Sequence, residues 1–256
     1  MSPTVSVIVP SYNDAAMLEQ CLDALARQSR PADELIVVDN GSSDSTVEVA
    51  RRFGARVVAE AKRGIPQATA AGFDAATGEV LGRLDADSVP PGDWVERVER
   101  AFAREPDLDV LSGPGRFYGG SEFIHWFAET LYMPMYYNFV AWLLGHDVVF
   151  GSNFAIRREA WRELRPRFHR DRRDVHDDLD LTMNLVPGMG VRFDRSLVVG
   201  VSARPFESWP RAWRGAHMAF ITAAVNHREE SLVERRRAWI ASRGAGDVSL
   251  GFVRGR

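Results

Sequence analysis

The sequence predicts an α/β fold in which a mostly parallel β-sheet is covered by helices on both faces. Three features of its first third indicate this fold. Short runs rich in β-branched residues alternate with amphipathic segments, the two kinds of segment follow each other in regular succession, and the apolar runs end in polar residues. A βαβα succession needs crossover helices, which pack on both faces of a parallel sheet. Ligands then bind beyond the carboxyl ends of the strands.

The predicted strands are short apolar runs bounded by turn residues, and amphipathic helices lie between them. The strands cover residues 5–10, 35–39, 55–59 and 80–84, with a later strand at 154–157. The helices cover residues 15–28, 45–52 and 65–76. In the first helix Leu18, Cys21, Leu22 and Leu25 fall on one face, and Asp14 is placed to cap its N-terminus.

Composition favours one large globular domain. The chain has 256 residues, of which 45% are hydrophobic and 26% charged, so it can bury a sizeable core. A net charge of -3 gives no basic face of the kind that binds nucleic acid. The single Cys21 excludes a disulfide framework and a cysteine metal site, which favours a reducing compartment. No secretory leader precedes the first strand, so we expect a cytoplasmic protein.

Carboxylates are concentrated in three short segments. Asp85 and Asp87 follow one predicted strand, Asp39 closes another, and residues 177–180 hold three more. Because side chains alternate along an extended backbone, Asp85 and Asp87 point to one side of the chain and can share a divalent cation held against substrate phosphates. Aspartate is also common in solvated strand-end turns, so the D-x-D pair alone leaves both interpretations open.

Several segments together resemble one known family. In order along the chain they are residues 5–13 (VSVIVPSYN), 37–44 (VVDNGSSD), 63–65 (RGI), 72–73 (GF), 85–87 (DAD), 151–158 (GSNFAIRR) and 177–181 (DDLDL). Their order and spacing over residues 4–200 resemble the family 2 glycosyltransferases of GT-A fold. The resemblance implies an inverting, metal-dependent transferase that uses a nucleotide sugar.

The resemblance places the donor nucleotide at the first two strand ends. The residues that match the base-binding and ribose-binding positions of the family are Pro10, Tyr12, Asp14 and Asp39. Arg63 would approach the diphosphate or ribose, since its planar donor fork suits phosphate oxygens. The structural alternatives are strand-end packing for Tyr12 and an ordinary solvated position for Arg63.

By the same resemblance, the D-x-D pair binds Mn²⁺ or Mg²⁺ between the two phosphates of the donor. Asp87 is the expected direct ligand, and Asp85 is the expected ribose or water-mediated contact. His176 and His217 are candidates for a third ligand, against the usual structural role of a lone histidine. The cation would neutralise charge on the departing nucleoside diphosphate.

The later motifs imply the acceptor side. The matching residues are Gly151, Ser152, Asn153, Asp177 and Asp180. The first three resemble a small-residue turn where a sugar can approach the backbone, although a tight turn before a strand is an equal alternative. Asp178 matches the general base that takes the proton of the attacking hydroxyl, so that one displacement inverts the anomeric configuration. The structural alternative is a helix N-terminus that is simply rich in aspartate.

Two departures from the family pattern limit the resemblance. The chain has Thr69-Ala70-Ala71-Gly72 where the family often carries Arg-Asn before the glycine, so any donor contact from those side chains is absent. It also lacks the Gln-x-x-Arg-Trp signature of processive synthases. We therefore expect addition of a single sugar.

We expect residues 1–203 to form the GT-A domain with a helical insertion at about 121–147, residues 204–240 to form a C-terminal helical extension, and residues 241–256 to form a disordered tail. Residues 123–144 of the insertion are aromatic and carry one formal charge, Glu129. Glu129 and Pro134 count against a membrane span. A kinked helix pair over the acceptor side, a helix pair in the membrane interface, and core or homodimer packing stay open. The arginines of the extension suit anionic lipid, an acidic acceptor or a solvated face.

Together these features predict transfer of one sugar from a UDP- or GDP-sugar to a hydroxyl of a cell-envelope glycan or lipid-linked acceptor. The protein would work in the cytoplasm or peripherally on the inner face of the cell membrane. Two alternatives stay open. A nucleotidyltransferase would need a Gly-rich basic loop after the first strand, and a catalytically silent sugar-nucleotide or carbohydrate-binding module would release no nucleoside diphosphate.

Overall fold

A seven-stranded sheet between two layers of helices organises the molecule. The computed structural model describes residues 2–204 and 209–242, with side chains at all of these positions except 123, 124, 132 and 209–212. The strands are β1 (Val5–Ser11), β2 (Glu34–Asp39), β3 (Arg56–Ala59), β4 (Val80–Arg83), β5 (Leu108–Ser112), β6 (Gly115–Tyr118), β7 (Phe154–Arg157), β8 (Gly190–Phe193) and β9 (Val199–Ser202).

The large sheet has the strand order β3-β2-β1-β4-β7-β5-β8, and β6 pairs with β9 in a small second sheet. Strand β7 is antiparallel to β4 and β5, whereas the other pairings are parallel. The predicted fold class, a mostly parallel sheet flanked by helices, is confirmed.

The helices alternate with the strands in the first half of the chain and cluster in the second. They are α1 (Ala15–Ala26), α2 (Thr46–Arg52), α3 (Ile65–Ala75), α4 (Trp94–Arg104), α5 (Glu122–Phe127), α6 (Met133–Leu144), α7 (Arg158–Leu164), α8 (Asp177–Asn184), α9 (Trp209–Glu229) and α10 (Leu232–Ser242). A π-helical turn over Ala128–Tyr132 joins α5 to α6. The predicted strands and helices of the first half are present, with α1 ending at Ala26 rather than at residue 28.

Side-chain alternation along β1 builds a core on each face of the sheet. Val5, Val7 and Val9 belong to the cluster that includes α1 and α4, whereas Ile8 belongs to the cluster that includes α3 and α7. Every residue of β4 is buried as well. Strands that are covered on both faces have continuous apolar sequences, which is why these two could be recognised.

The aromatic insertion is helical, with the π-helical turn joining α5 directly to α6. One face of α6 is buried and presents Met133, Tyr137, Val140 and Leu144. We call the exposed face the apolar stripe; its members are Leu131 (50% exposed), Met135 (60%), Phe139 (57%) and Trp142 (51%). Within the described residues no helix is both long enough and apolar enough to cross a membrane.

The C-terminal extension packs on the rest of the protein through both of its helices. Trp239 is buried, and Arg235, itself buried, donates a hydrogen bond to the Met183 carbonyl. Arg236 donates to the Trp142 carbonyl at 2.7 Å and its guanidinium lies over the Trp142 ring. A solvated position is therefore wrong for Arg235. Helix α10 continues to Ser242, past the predicted end of the extension, and the rest of the predicted disordered tail, residues 243–256, lies outside the described residues.

Candidate active site

The carboxyl ends of β1, β2 and β4 meet at one edge of the sheet. Tyr12 and Asp85 lie in the loops that follow β1 and β4, and Asp39 is the last residue of β2. The chain after β9 adds Arg204 to the same edge. The parallel pairing of β1 with β2 and with β4 fixes this arrangement. Pro10 lies within β1 opposite Val38, and so belongs to the strand rather than to the loop.

Tyr12 and Arg63 form a stacked pair at the β2 side of this edge. The Arg63 guanidinium carbon lies 3.2 Å from the centroid of the Tyr12 ring, and the Tyr12 side chain is 45% exposed. Arg63 also donates to the carbonyls of Asn40 (3.1 Å) and Gly41 (3.2 Å). These bonds fix a planar cationic group beside an exposed aromatic ring, which is a surface suited to a base or a phosphate.

Asp39 and Asn40 shape the loop beneath that pair. One Asp39 oxygen accepts the Ser42 backbone N–H at 3.0 Å. The buried Asn40 amide donates to the carbonyls of Glu60 (2.9 Å) and Lys62 (2.7 Å), and its oxygen accepts the Gly64 N–H at 2.7 Å. Asn40 thus positions the segment that carries Arg63. Sequence reasoning gave it no role, although a buried amide after a strand end commonly bonds neighbouring backbone.

Asp14 has a different role from the predicted helix cap. It occupies the N-cap position of α1, but its side chain makes no capping bond. Instead both of its oxygens accept from Arg204, at 2.9 and 2.6 Å, and Asp44 accepts the Ala15 N–H in its place. The ion pair with Arg204 draws the Asp14 carboxylate away from the end of the helix. It also joins the first loop to the chain that follows β9.

Asp85 and Asp87 lie in different electrostatic settings. One Asp85 oxygen lies 2.9 Å from a guanidinium nitrogen of the buried Arg83, and the other accepts the Ser152 hydroxyl at 2.5 Å. Asp87 accepts from Arg204 at 3.0 Å. Burial and then the neighbouring charge of Asp85 raise the pKa of the Asp87 carboxyl to about 6, against the opposing effect of Arg204.

Arg83 links the two acidic clusters, and sequence reasoning missed it. Its side chain is 2% exposed and lies 2.9 Å from Asp85 and 3.0 Å from Asp177. Burial lowers the pKa of the Arg83 guanidinium, but the charges of Asp177 and Asp85 outweigh this effect and raise that pKa above its usual range. An arginine in an otherwise apolar buried strand was the available signal, because a buried charge needs partners of opposite sign.

The turn before β7 holds these groups in place. The Gly151 N–H donates to Asp178 at 2.9 Å, and a Cβ at Gly151 would run into the Arg83 guanidinium and lie 3.0 Å from the Asp178 carboxylate. Asn153 is fully buried and uses its side chain on the Trp94 indole (2.9 Å) and two backbone carbonyls. Only a glycine at position 151 lets the Arg83 guanidinium and the Asp178 carboxylate come this close to the backbone. Asn153 has a structural role, because its side-chain hydrogen bonds are made to the protein interior.

At the start of α8, Asp177 and Asp178 are held by different donors. Asp177 accepts from Thr69 at 2.8 Å and pairs with Arg83. Asp178 accepts two backbone N–H groups, from Gly151 at 2.9 Å and from Leu179 at 2.7 Å, and remains partly exposed. Because backbone donors neither move nor ionise, they fix the Asp178 carboxylate without cancelling its charge.

Asp180 lies deeper than the other two acids. It has no exposed surface, and its oxygens accept from the His169 backbone and ring (2.8 and 2.7 Å) and from Asn226 (2.8 Å). The other ring nitrogen of His169 lies 2.9 Å from a Glu229 oxygen. The hydrogen bond to Asp180, and then that to Glu229, raise the pKa of His169 to about 9 although burial opposes the shift. Asp180 thus connects α8 to α9 through Asn226, and connects α8 to the segment that precedes it through His169.

The D-x-D pair fits a hard divalent cation. Burial, and then the neighbouring charge of Asp85, raise the pKa of Asp87, and a bound cation would offset both effects. Across residues 2–204 and 209–242 no three histidine, cysteine or acidic side chains converge as metal ligands. A third ligand from His176 or His217 stays a prediction. Water and ligand phosphates would complete the coordination, as is usual for Mg²⁺-like ions.

A family model described as glycosyl transferase family 2 matches residues 6–165. The chain is 38% identical over 103 residues to glycosyltransferase AglE of Haloferax volcanii, covering 37% of this chain and 34% of that protein. It is 36% identical over 119 residues to a PGL/p-HBAD biosynthesis glycosyltransferase of Mycobacterium bovis, covering 44% of this chain and 46% of that protein. The chain therefore spans less than half the length of these curated relatives.

Two solved structures resemble the whole fold. The mannosyltransferase PcManGT from Pyrobaculum calidifontis, in complex with GDP-Man and Mn²⁺, superposes with a TM-score of 0.61 at 22% identity, over 97% of this chain and 77% of that one. Glucosyl-3-phosphoglycerate synthase of Mycobacterium tuberculosis gives a TM-score of 0.62 at 20% identity, over 88% and 80%. At these identities the likeness concerns the fold.

Proposed function

This chain belongs to glycosyl transferase family 2 and has the GT-A fold, and we propose that it transfers one sugar from a nucleoside diphosphate sugar to a hydroxyl acceptor with inversion. One observation carries the proposal. Arg83, Gly151 and Ser152 tie Asp85 of the D-x-D pair and the first two acids of α8, Asp177 and Asp178, into a single cluster at the carboxyl edge of the sheet. Groups able to hold a diphosphate and a group able to take a proton are thus within one site.

The donor nucleotide would lie against the Tyr12–Arg63 pair. The exposed Tyr12 ring offers a face for a base or ribose, and Arg63 offers donors to a phosphate or a ribose hydroxyl. Among the described residues, Asp39 has one oxygen with no protein donor, which is available to a base N–H or a ribose hydroxyl. The PcManGT structure, which holds GDP-Man and Mn²⁺ on the same fold, supports a nucleotide sugar as the donor.

Asp87 and Asp85 would hold Mn²⁺ or Mg²⁺. When bound, the cation supplies Lewis-acid stabilisation of the departing diphosphate. The protein contributes the placement of the two carboxylates. Ser152 and Arg83 fix Asp85, and the Tyr118 hydroxyl donates to the Asp87 carbonyl at 2.7 Å, which fixes the backbone of the D-x-D segment.

Asp178 would act as the general base. The acceptor hydroxyl oxygen forms a bond to the anomeric carbon, the bond from that carbon to the phosphate oxygen breaks, and the hydroxyl proton passes to an Asp178 oxygen. The two backbone N–H donors hold the carboxylate in one orientation during this step. Asp177 would position Arg83, and Asp180 would position α8, so both support the base without touching the acceptor.

We further propose that the apolar stripe rests on an anionic membrane surface, where a lipid-linked or cell-envelope acceptor would be found. Its four side chains are each at least half exposed and recur at helical spacing, from Leu131 to Trp142. Arg236 lies over the Trp142 ring, which places a cation beside an aromatic residue as at a lipid headgroup boundary. Such a face would make the protein peripheral rather than membrane-spanning.

Two experiments test these proposals. Purified protein with Mn²⁺ should release nucleoside diphosphate from one class of UDP- or GDP-sugar. If it binds the nucleotide sugar but produces no nucleoside diphosphate, it is a silent binding module instead.

The second experiment concerns the apolar stripe. The unmodified protein should sediment with phosphatidylserine-containing vesicles, and the Phe139→Gln/Met135→Gln protein should not. A change from dimer to monomer in that variant, with no vesicle binding by either protein, would make the stripe a subunit contact.

A further inference from the structure

Arg204 closes the carboxyl edge of the sheet and belongs to none of the motifs discussed above. One of its terminal nitrogens donates to Asp14 at 2.9 Å. The other donates to Asp14 at 2.6 Å and to Asp87 at 3.0 Å. Its guanidinium therefore bridges the loop after β1 and the D-x-D segment, and it is the side-chain cation on Asp87.

We infer that Arg204 is a donor-binding residue that a divalent cation displaces from Asp87, after which the freed N–H donates to the diphosphate that the cation holds. This inference rests on the proposed function, because it needs a nucleoside diphosphate at the D-x-D segment. When no donor is bound, Arg204 competes with the cation for Asp87. When the cation and the donor are bound, Arg204 binds the donor diphosphate.

The charges at this edge favour the exchange. Asp14, Asp85 and Asp87 place three carboxylates together, and the only cations given to them among the described residues are Arg204 and Arg83, which Asp177 shares. Three carboxylates face two guanidinium groups, one of which is shared with Asp177, so this group keeps a net negative charge. A divalent cation at the D-x-D pair carries twice the charge and repels the guanidinium from Asp87.

Asp14 lets the exchange take place without a large movement. The two parallel bonds from Arg204 to Asp14 form a bidentate pair that stays intact when the contact with Asp87 is lost. The backbone is also held, because the N–H of Ala203 donates to the Tyr118 carbonyl at 3.0 Å and β9 pairs with β6. The donor released from Asp87 then faces the place where the cation and its phosphates meet.

Arg204→Gln separates the two roles, because it removes the charge and replaces the guanidinium with a shorter, neutral polar side chain. Without nucleotide, Mn²⁺ should bind the variant about tenfold more tightly than the unmodified protein, since no cation has to leave Asp87. With saturating Mn²⁺, the variant should bind UDP or GDP about tenfold more weakly, since the phosphate donor is lost. Titration calorimetry measures both affinities.

The matched control is Arg97→Gln, which removes an arginine that bonds Ser196 outside this cluster. It should leave both affinities unchanged. Changes of opposite sign in the Arg204→Gln protein support the inference, and affinities that fall together or stay unchanged overturn it. If the unmodified protein binds neither UDP nor GDP with Mn²⁺, the proposed function fails, whereas the Mn²⁺ titration without nucleotide still decides whether Arg204 competes for Asp87.

Discussion

Asp87, after β4, and Asp178, at the start of α8, are both carboxylates, but they are bound by different kinds of hydrogen-bond donor. Asp87 is bound by the side-chain cation of Arg204 at 3.0 Å. Asp178 is bound by the backbone N–H groups of Gly151 at 2.9 Å and Leu179 at 2.7 Å. A carboxylate paired with a side-chain cation can exchange it for a metal ion, whereas a carboxylate held by backbone keeps its place and its charge. The difference supports cation binding after β4 and proton transfer at α8.

The largest effect on stability should come from removing Arg83, which links the acids after β4 to those of α8. Arg83→Met leaves Asp177 buried without its cation, and we expect the free energy of unfolding to fall by about 3–5 kcal/mol. Urea denaturation measures it. The control is Arg162→Met, which removes an exposed pair with Glu159 and should cost less than about 1 kcal/mol. Equal losses in the two variants would mean that Arg83 is not a required counter-charge.

A second change tests the β4 setting alone. Asp87→Asn keeps the shape of the side chain and removes the charge that a cation needs, so Mn²⁺-dependent affinity for UDP or GDP should fall about 100-fold. Thermal stability should be nearly unchanged, because burial and then the charge of Asp85 both disfavour a charged carboxylate at this position. Calorimetric titration is the measurement. Metal-dependent affinity that survives the substitution would remove the D-x-D pair from the cation site.

The nucleotide surface should respond more weakly. Tyr12→Ala removes the exposed ring under Arg63, and nucleotide affinity should fall about tenfold, since one stacking contact is worth roughly 1–3 kcal/mol. Tyr12→Phe is the control, because it keeps the ring. A thermal-shift titration compares them, and equal shifts for the alanine variant and the unmodified protein would count against a base at this position.

The smallest effect concerns the pH dependence of stability near α8. The folded pKa of His169, about 9, is above its usual value, so the protonated ring stabilises the protein fully below about pH 6.5 and this contribution is lost as the pH rises towards 9. The melting temperature of the unmodified protein should therefore fall more between pH 6.5 and 9 than that of His169→Gln. Parallel curves would show that the ring does not carry this charge in the folded state.

The same contrast explains what could be predicted from the sequence. Strands β1, β2 and β4 are covered on both faces, so their apolar runs are continuous and the acids that follow them stand out. Strands β5, β6, β8 and β9 were not predicted, because none of them is an uninterrupted apolar run. Their pairing with strands distant in the chain is not encoded locally.

The roles of side chains could likewise be predicted where they depend on local sequence, and could not be predicted where they depend on residues distant in the chain. Motif order pointed to Asp87 and Asp178, because acids at a strand end and a helix start are local features. Arg204 and His169 had no such signal, since only the folded chain brings them to their partners. For Arg83 the signal was a charge within an apolar strand, but its partner Asp177 is distant in sequence. Three-dimensional proximity, rather than residue type, distinguishes these three from the other arginines and histidines of the chain.

The proposal that proton transfer occurs at α8 is tested most directly by measuring sugar transfer in Asp178→Asn beside Asp180→Asn. We predict that Asp178→Asn lowers the transfer rate by roughly 10²–10⁴-fold while melting temperature and Mn²⁺-dependent nucleotide affinity are kept, because the amide cannot take the proton. Asp180→Asn should lower the melting temperature and reduce transfer less, since Asp180 is buried among His169 and Asn226. Near-normal transfer by Asp178→Asn, or loss of stability and nucleotide binding together, would contradict the assignment of Asp178 as the base.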